Sequence, residues 1–186
     1  MIGYLPKQLN VNGVDRAIRS DFRTALLIFQ ACNDVELNDY EKVEVMIKCF
    51  FEDFEDIPLE DYQEANSQAV WFLEGGDSNT NRQSSKKIMD WEQDEQMIFS
   101  AVNKVAGCET REKEYLHWWT FLGYMREIKE CLFSTVTNIR EKKNKGKRLE
   151  KYEEEFYREN KNLIDIKVKY TEEEQAEIDY WNKLLG

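Results

Sequence analysis

Apolar residues recur at every third or fourth position through most of this chain, and that spacing predicts amphipathic α-helices. Five such helices are expected ahead of residue 140, over about 15–32, 38–54, 58–74, 89–106 and 110–134. Asn38 stands where a helix N-cap is favoured, and Gly107 stands where a helix often ends. Residues 75–86 contain almost no apolar group, so this stretch is expected to be a flexible loop.

The pattern changes beyond residue 138, where charged residues outnumber apolar ones. A helix over 147–165 has only a narrow apolar seam, and Thr171 begins a capping box that predicts a last helix. Neither apolar stripe is wide enough for full burial, so both are predicted to contact a partner or a second copy of the chain. The predicted partner-binding residues are Leu149, Tyr152, Phe156, Leu163, Ile178, Trp181 and Leu185.

The fold class follows from what the pattern contains and lacks. No alternating strand pattern of useful length and no internal repeat is present, and residues 1–13, with Asn12-Gly13 as a turn signal, are interpreted as an irregular lead-in. The sequence predicts an all-α fold: a single helical domain of about five core helices plus charged C-terminal helices. Its predicted parts are a helical core domain over 1–140, including the flexible loop 75–86, and a charged helical extension over 141–186.

The stretch 116–125 holds two of the five tryptophans and His117, the only histidine. At about 100° per residue, Trp118 and Leu122 share one helix face, while Gly123 lies on the opposite side, where a small residue allows another backbone to approach. Such a stretch is either the centre of a core or a surface for a partner. The one-sided arrangement favours the core, and His117 is interpreted as a packed residue rather than a catalytic one.

The composition fits a helical globular protein with a sizeable core. Apolar residues make up 41% of the 186 residues, and there are only two prolines. No apolar run approaches the roughly 18 residues of a membrane span, and the N-terminus lacks the features of a signal peptide. The four cysteines are scattered without a CxxC pair, which favours free thiols in a reducing compartment. A cytosolic protein without a membrane segment is therefore expected.

The charge is divided between an acidic early part and a basic late part of the chain. Residues 34–64 contain twelve acidic residues against two lysines, whereas 140–148 contain six basic residues against one acidic residue. The net charge of −11 argues against nucleic acid as the main partner. For the basic turn 142–148, three interpretations stay open: a solvated connection between helices, a contact with an acidic protein surface, or a contact with phosphate.

Two features are candidates for chemistry, and neither forms a recognisable site. One face of the second helix carries four carboxylates: Glu41, Glu44, Glu52 and Glu55. All-α nucleotide hydrolases bind magnesium with such carboxylates, but they need pairs on two facing helices, whereas here Lys48 lies between two pairs on one helix. The single histidine excludes a two-histidine metal site, and no Gly-rich phosphate loop is present. No catalytic residue, metal or cofactor is therefore predicted.

Several blocks of sequence follow one another in an order that resembles a known family. They are Phe50-Phe51-Glu52-Asp53, Met89-Asp90-Trp91-Glu92-Gln93-Asp94, the helix segment 98–101, Leu116-His117-Trp118-Trp119-Thr120-Phe121, 133–140 and the charged helix 147–162. Their order and spacing resemble the gene-product-fifteen family of long-tailed bacteriophages that infect Gram-positive bacteria. The resemblance covers much of the chain, and the segment 171–186 departs most from the family.

The resemblance implies a role in phage tail assembly. Members are encoded beside the tape-measure gene and are similar to tail assembly chaperones, which keep the long apolar tape-measure protein soluble. It implies a non-enzymatic protein of the bacterial host cytoplasm, absent from the virion, that binds the tape-measure protein, with the tail-tube protein and a second copy of the chain as further candidates. Two alternatives remain: a structural tail or neck component retained in the virion, and a metal-dependent all-α nucleotide hydrolase.

Overall fold

The structure is a computed structural model that describes residues 3–77 and 86–185, with only the backbone of Leu185. The α-helices in this part of the chain are α1 (Phe22–Cys32), α2 (Asp39–Phe50), α3 (Tyr62–Leu73), α4 (Glu95–Ala106), α5 (Trp118–Arg126), α6 (Leu132–Asn144), α7 (Lys151–Glu159), α8 (Lys161–Ile164) and α9 (Glu172–Leu185). The strands are β1 (Gln8–Val11) and β2 (Val14–Ala17), and short 3₁₀ turns span Phe54–Asp56, Leu59–Asp61 and Thr110–Glu112.

A two-stranded antiparallel hairpin precedes the helices, so the fold is mostly helical and the all-α prediction was wrong at this point. Asn12 and Gly13 both have positive φ, 47° and 92°, which is what a two-residue type I′ hairpin turn requires. Leu9 and Val11 are buried on the inner face of β1. The strands are too short for their alternation to stand out, and the helix expected from about residue 15 begins only at Phe22.

Residues 18–22 connect the hairpin to two distant helices. The backbone N–H of Arg19 donates to the carbonyl oxygen of Phe50 at 2.8 Å, at the end of α2. The carboxylate of Asp21 caps α1 and also accepts a hydrogen bond from the backbone N–H of Leu116 at 2.9 Å. These contacts place the end of α2 and the beginning of α5 beside the N-terminus of α1.

The hydrophobic core lies among α1 to α6 and also takes Leu9 and Val11 from β1 and Ile164 from α8. Burial of each large apolar side chain contributes about 1.5–3 kcal/mol to stability. The largest fully buried side chains are Trp118, Phe22, Phe50, Phe51, Phe72, Phe121, Ile28, Ile47, Ile98, Ile139, Ile164 and Val11. Trp118 and Phe121 lie at its centre, which confirms that the tryptophan-rich stretch is core. The expected close backbone approach at Gly123 was wrong, because a Cβ at this position would meet nothing within 4 Å.

Several predicted helices begin later or are divided. α4 begins at Glu95 rather than near residue 89, because the Asp90 carboxylate accepts backbone hydrogen bonds from Glu92 and Gln93 and holds a turn there. The helix expected over 110–134 is two helices, α5 and α6. The helix expected over 147–165 is likewise divided into α7 and α8, with Asn160 between them.

Two predicted helix starts are confirmed by their hydrogen bonds. At α2, the Asn38 side chain accepts from the backbone N–H of Glu41 at 3.1 Å, and the Glu41 carboxylate accepts from the N–H of Asn38 at 2.8 Å. At α9, Thr171 and Glu174 form the same reciprocal arrangement at 3.1 and 2.9 Å. Each pair satisfies two N–H groups that a helix N-terminus leaves without a partner within the helix.

The segment after α3 contacts the core at a glycine. Gly76 has φ of +81°, and a Cβ there would lie 2.9 Å from the ring of Trp119, so only glycine fits without displacement of the ring. The predicted flexible loop 75–86 falls mostly on residues 78–85, which lie outside the described residues.

The chain after residue 140 is attached to the core as far as α8. Leu149, Phe156 and Leu163 are partly buried against core residues, and Ile164 is fully buried. The Arg140 side chain donates to the backbone carbonyl oxygens of Leu163 and Ile164 at 2.9 and 2.5 Å. The division of the chain into a core domain over 1–140 and an extension over 141–186 stays a prediction.

Candidate binding groove

A groove with a cavity volume of about 400 Å³ runs between α1 and α4. Its floor is formed by apolar side chains and its ends by polar ones. The residues that line it are Phe22, Arg23, Leu26, Leu27, Gln30, Asn33, Trp91, Glu92, Glu95, Ile98, Phe99 and Arg111. The volume lies within the range of about 300–1,000 Å³ that is usual for ligand sites. Since α1 has 11 residues and a helix rises about 1.5 Å per residue, about three turns of a partner helix could lie along α1 and place side chains in the groove.

The floor of the groove is held in place by aromatic packing. Phe22 stacks on Phe121 with ring centroids 4.8 Å apart and meets Phe99 edge-on at 6.1 Å. Phe29, beside the groove, stacks on Trp91 at 5.6 Å. Because these rings are fixed by neighbours in the core, the groove exists before any partner binds, which lowers the entropic cost of binding.

The tryptophan-rich stretch supports this floor from beneath. The Trp118 ring contacts the rings of Phe29 and Trp91, with centroids 5.7 and 6.0 Å apart. Its indole N–H donates to the backbone carbonyl oxygen of Leu73 at 2.9 Å. Trp118 is 1% exposed, so it positions the groove without lining it.

One end of the groove holds two arginines, each paired with a carboxylate. Arg23 pairs with Asp21 at 3.0 Å. The Arg111 guanidinium lies 4.9 Å from the Phe99 ring centroid and forms an ion pair with Glu109 at 2.8 Å. Hydrogen bonds from the Arg111 side chain, followed by that from its backbone, lower the pKa of Glu109 to about 2. The Arg23 side chain donates to the carbonyl oxygen of Lys113, which fixes the second arginine at this end.

The opposite end is formed by Asn33 and Glu92, and lysines contact both residues. Lys87 Nζ lies 3.1 Å from the side-chain oxygen of Asn33, and Lys169 forms an ion pair with Glu92 at 2.5 Å. An apolar floor between two charged ends is suited to the apolar face of an amphipathic helix, as in helix-in-groove recognition. Leu27, which is 59% exposed, stands at the side of this floor.

His117 fixes the start of α5 rather than acting as a chemical group. Its Nδ1 accepts a hydrogen bond from the backbone N–H of Trp119 at 3.0 Å, and its Nε2 donates to the carbonyl oxygen of Pro6 at 2.9 Å. Burial lowers the pKa of His117 below its ordinary value, and the hydrogen bond to Pro6 opposes this while Lys7 adds to it. The neutral ring is therefore the form that the fold prefers.

Acidification is expected to lower the free energy of unfolding through His117. Since its pKa in the folded protein lies below the unfolded value of about 6.5, the unfolded chain takes up the proton first as the pH falls. The stability from neutral His117 is present above about pH 6.5 and is lost as the pH falls below it towards the folded pKa. Urea denaturation at about pH 7.5 and 5.5 should show a smaller pH effect in His117→Gln than in the native chain. Equal pH effects in the two proteins would contradict this role.

The predicted partner-binding residues lie in two different surroundings. In the first stripe, the seam of the 147–165 segment, Leu149, Phe156 and Leu163 are packed on the core. Only Tyr152 of this stripe is strongly exposed, at 67%. In α9, Ile178 is half-buried and Trp181 is 51% exposed, while the side chain of Leu185 lies outside the described residues. Binding through these residues stays a prediction. The structure brings none of the first stripe into the α1–α4 groove.

The four carboxylates of the second-helix region do not come together as a site. Glu41 belongs to the capping box of α2, and Glu44 forms an ion pair with Lys48 at 2.5 Å. Glu52 and Glu55 are exposed beyond the end of α2, so the four do not share one helix. Within residues 3–77 and 86–185, no group of three or more His, Cys, Asp or Glu side chains is arranged to hold a metal ion.

Three lysines of the basic turn are engaged in ion pairs within the chain. Lys142 Nζ contacts both carboxylate oxygens of Glu153 at 2.7 Å, and Lys143 pairs with Asp165 at 2.6 Å. Lys145 pairs with Glu141 one turn earlier on α6. These contacts support the interpretation of the turn as a connection that fastens α7 and α8 to α6.

The protein is mostly helical, and a groove with an apolar lining lies between α1 and α4. In the part of the chain that the structure describes, no helix combines the length and the apolar character that crossing a membrane requires. A family model described as Bacteriophage Gp15 protein matches residues 1–166. The chain therefore belongs to this bacteriophage family, as its sequence blocks predicted. No curated protein and no solved structure was found to match it.

Proposed function

We propose that the protein is a non-enzymatic tail assembly chaperone that binds an amphipathic helix of the phage tape-measure protein in the α1–α4 groove. The observation that carries the proposal is the apolar groove, in which the exposed Leu27 and the partly exposed Leu26 and Trp91 lie around a buried floor. The buried floor is formed by Phe22, Ile98 and Phe99. Membership of the phage family supports the setting in phage assembly. The tail-tube protein is a second candidate partner.

The groove has the chemistry that such a helix needs. Apolar side chains at helical spacing would bury against the floor, and each Leu or Phe buried there contributes about 1.5–3 kcal/mol. The high surface charge of the chain would keep the complex dispersed in the host cytoplasm.

Glutamate at position 27 is expected to weaken this binding. In Leu27→Glu a carboxylate at the side of the apolar floor would have to be desolvated by a bound helix, so recovery of the tape-measure protein should fall at least ~10-fold, equivalent to about 1.4 kcal/mol. The measurement is co-expression of the tagged full-length protein with the tape-measure protein, followed by quantification of both after affinity purification.

Leu59→Glu is the matched control, since Leu59 is also strongly exposed, at 74%, but lies at the start of the 3₁₀ turn before α3. It should recover as much tape-measure protein as the native chain. Equal recovery with both variants would contradict the groove as the site. Mass spectrometry of purified virions tests the alternative of a structural component, because a chaperone should be missing from them.

A further inference from the structure

The segment between α8 and α9 contacts both sides of the α1–α4 groove at the end formed by Asn33 and Glu92. Residues 165–171, the α8–α9 linker, have neither helix nor strand. On one side the linker contacts the turn 90–93, which contributes Trp91 and Glu92 to the groove lining. On the other side, the first residue of α9 contacts the loop that follows α1.

Gln93 attaches the linker to the turn 90–93. Its side-chain Nε2 donates to the backbone carbonyl oxygen of Asp165, and its Oε1 accepts from the backbone N–H of Lys167, both at 3.0 Å. A primary amide can donate and accept at once, so one side chain binds the extended linker at two points. Since Gln93 adjoins the two groove-lining residues, its hydrogen bonds fix the turn that carries them.

Lys169 faces carboxylates on both sides of the groove end. It forms an ion pair with Glu92 at 2.5 Å. The hydrogen bond to Glu92 raises the pKa of Lys169, burial opposes this, and the negative charges of Glu92, Asp90 and Asp34 raise the pKa further. Asp90 belongs to the turn and Asp34 to the loop after α1, so the ammonium group attracts both toward the linker.

Glu36 attaches the far end of the linker to the α1 side. Its carboxylate accepts a hydrogen bond from the backbone N–H of Glu172 at 2.6 Å. Phe29 of α1 also stacks on Trp91, which holds the two sides of the groove together. Ring stacking is less directional than hydrogen bonding, so the polar contacts of the linker decide where the turn stands relative to α1.

We propose that the α8–α9 linker positions the groove wall formed by Trp91 and Glu92, with Gln93 and Glu36 as its positioning residues. The two attachments act in series, because the linker connects the two sides only while both are intact. Loss of either one lets the wall move, and a less preorganised groove binds a partner helix more weakly. The position of the wall does not depend on the proposed function, whereas the effect on tape-measure binding rests on it.

Hydrogen–deuterium exchange of the full-length protein tests the position of the wall without a partner. The backbone N–H groups of Glu92 and Gln93 report on the turn, because both donate to the Asp90 carboxylate. Glu36→Ala, on the opposite side of the groove, should raise their exchange rates ~10-fold through local opening, while the amides of α1 and α4 keep their native rates. Exchange that rises only around residues 36 and 172 would overturn the proposal.

Conservative and matched variants separate positioning from general destabilisation. In Glu36→Gln the amide oxygen can still accept from Glu172, so this variant should show native exchange in the turn. Gln93→Ala should raise exchange in the linker, whereas Gln96→Ala should not, because Gln96 is exposed on α4 and does not line the groove. Equal exchange in Gln93→Ala and Gln96→Ala would contradict the role of Gln93.

Recovery of co-expressed tape-measure protein tests the consequence for binding. Gln93→Ala and Glu36→Ala should each lower recovery at least ~3-fold, and the double variant should fall no further, because attachments in series are not additive. Losses that multiply in the double variant would overturn the series arrangement. Native recovery in both single variants, with a loss in Leu27→Glu, would overturn the effect of the linker on binding and leave the proposed function standing.

Discussion

Replacement of Arg140 by alanine is expected to lower the free energy of unfolding by about 3–5 kcal/mol, as for a buried ion pair from which one partner is removed. Arg140 and Asp94 are 4% and 0% exposed and form a bidentate pair. The guanidinium also donates to the carbonyl oxygens of Ile88, Leu163 and Ile164. The substitution would leave the Asp94 carboxylate buried without its cation and would detach the end of α8 from α6. Urea denaturation at neutral pH measures the loss.

Lys145→Ala is the control on the same helix. Lys145 and Glu141 form an exposed ion pair, with side chains 57% and 46% exposed, and such pairs contribute only about 0–1 kcal/mol. The double variant Arg140→Met/Asp94→Leu should recover a large part of the loss, because it removes both charges together. Similar stability of Arg140→Ala and Lys145→Ala would show that the buried pair does not hold the C-terminal segment.

Trp118→Ala is the second variant with a large expected effect, also about 3–5 kcal/mol. The indole is fully enclosed, contacts three aromatic rings, and satisfies the carbonyl oxygen of Leu73. Its removal leaves a cavity beneath the groove and a buried acceptor without a donor. Denaturant titration gives the stability, and recovery of the co-expressed tape-measure protein reports on the groove. Both should fall in this variant.

Leu132→Ala is the comparison for this effect. Leu132 is 49% exposed at the start of α6, so its truncation should change stability by less than about 0.5 kcal/mol. A small loss in Trp118→Ala, close to that of Leu132→Ala, would mean that the space beneath the groove collapses without cost. That outcome would contradict the picture of a floor held from below.

The parts of the fold that sequence could predict are those with a local cause. The capping boxes at Asn38 and Thr171 fix two helix starts, and helical spacing identifies the buried faces of α1, α2 and α4. The hairpin was missed because each strand has only four residues, although the Asn12-Gly13 pair was itself the signal. The late start of α4 was missed because Asp90 and Asp94 hold contacts that periodicity does not register.

The groove could not be predicted from one helix at a time. Leu27 lies off the inner face of α1, and in the sequence it does not differ from an ordinary exposed leucine. Only the position of α4 makes it the side of a groove. Conversely, the seam of Leu149, Phe156 and Leu163 was predicted as a partner surface because it is narrow. A narrow seam suffices for α7 and α8 because polar contacts from α6, such as Lys142 to Glu153, complete their attachment.

A photo-crosslink from the groove to its partner tests most directly whether the tape-measure protein binds in the α1–α4 groove. A photoreactive amino acid at position 27 of the full-length protein, co-expressed with the tape-measure protein, is activated in cells, and the products are identified by mass spectrometry. Crosslinks to amphipathic helical segments of the tape-measure protein are expected from position 27, and none from position 59. Crosslinks from both positions alike, or none to the tape-measure protein from position 27, would contradict the groove as the site of chaperone binding.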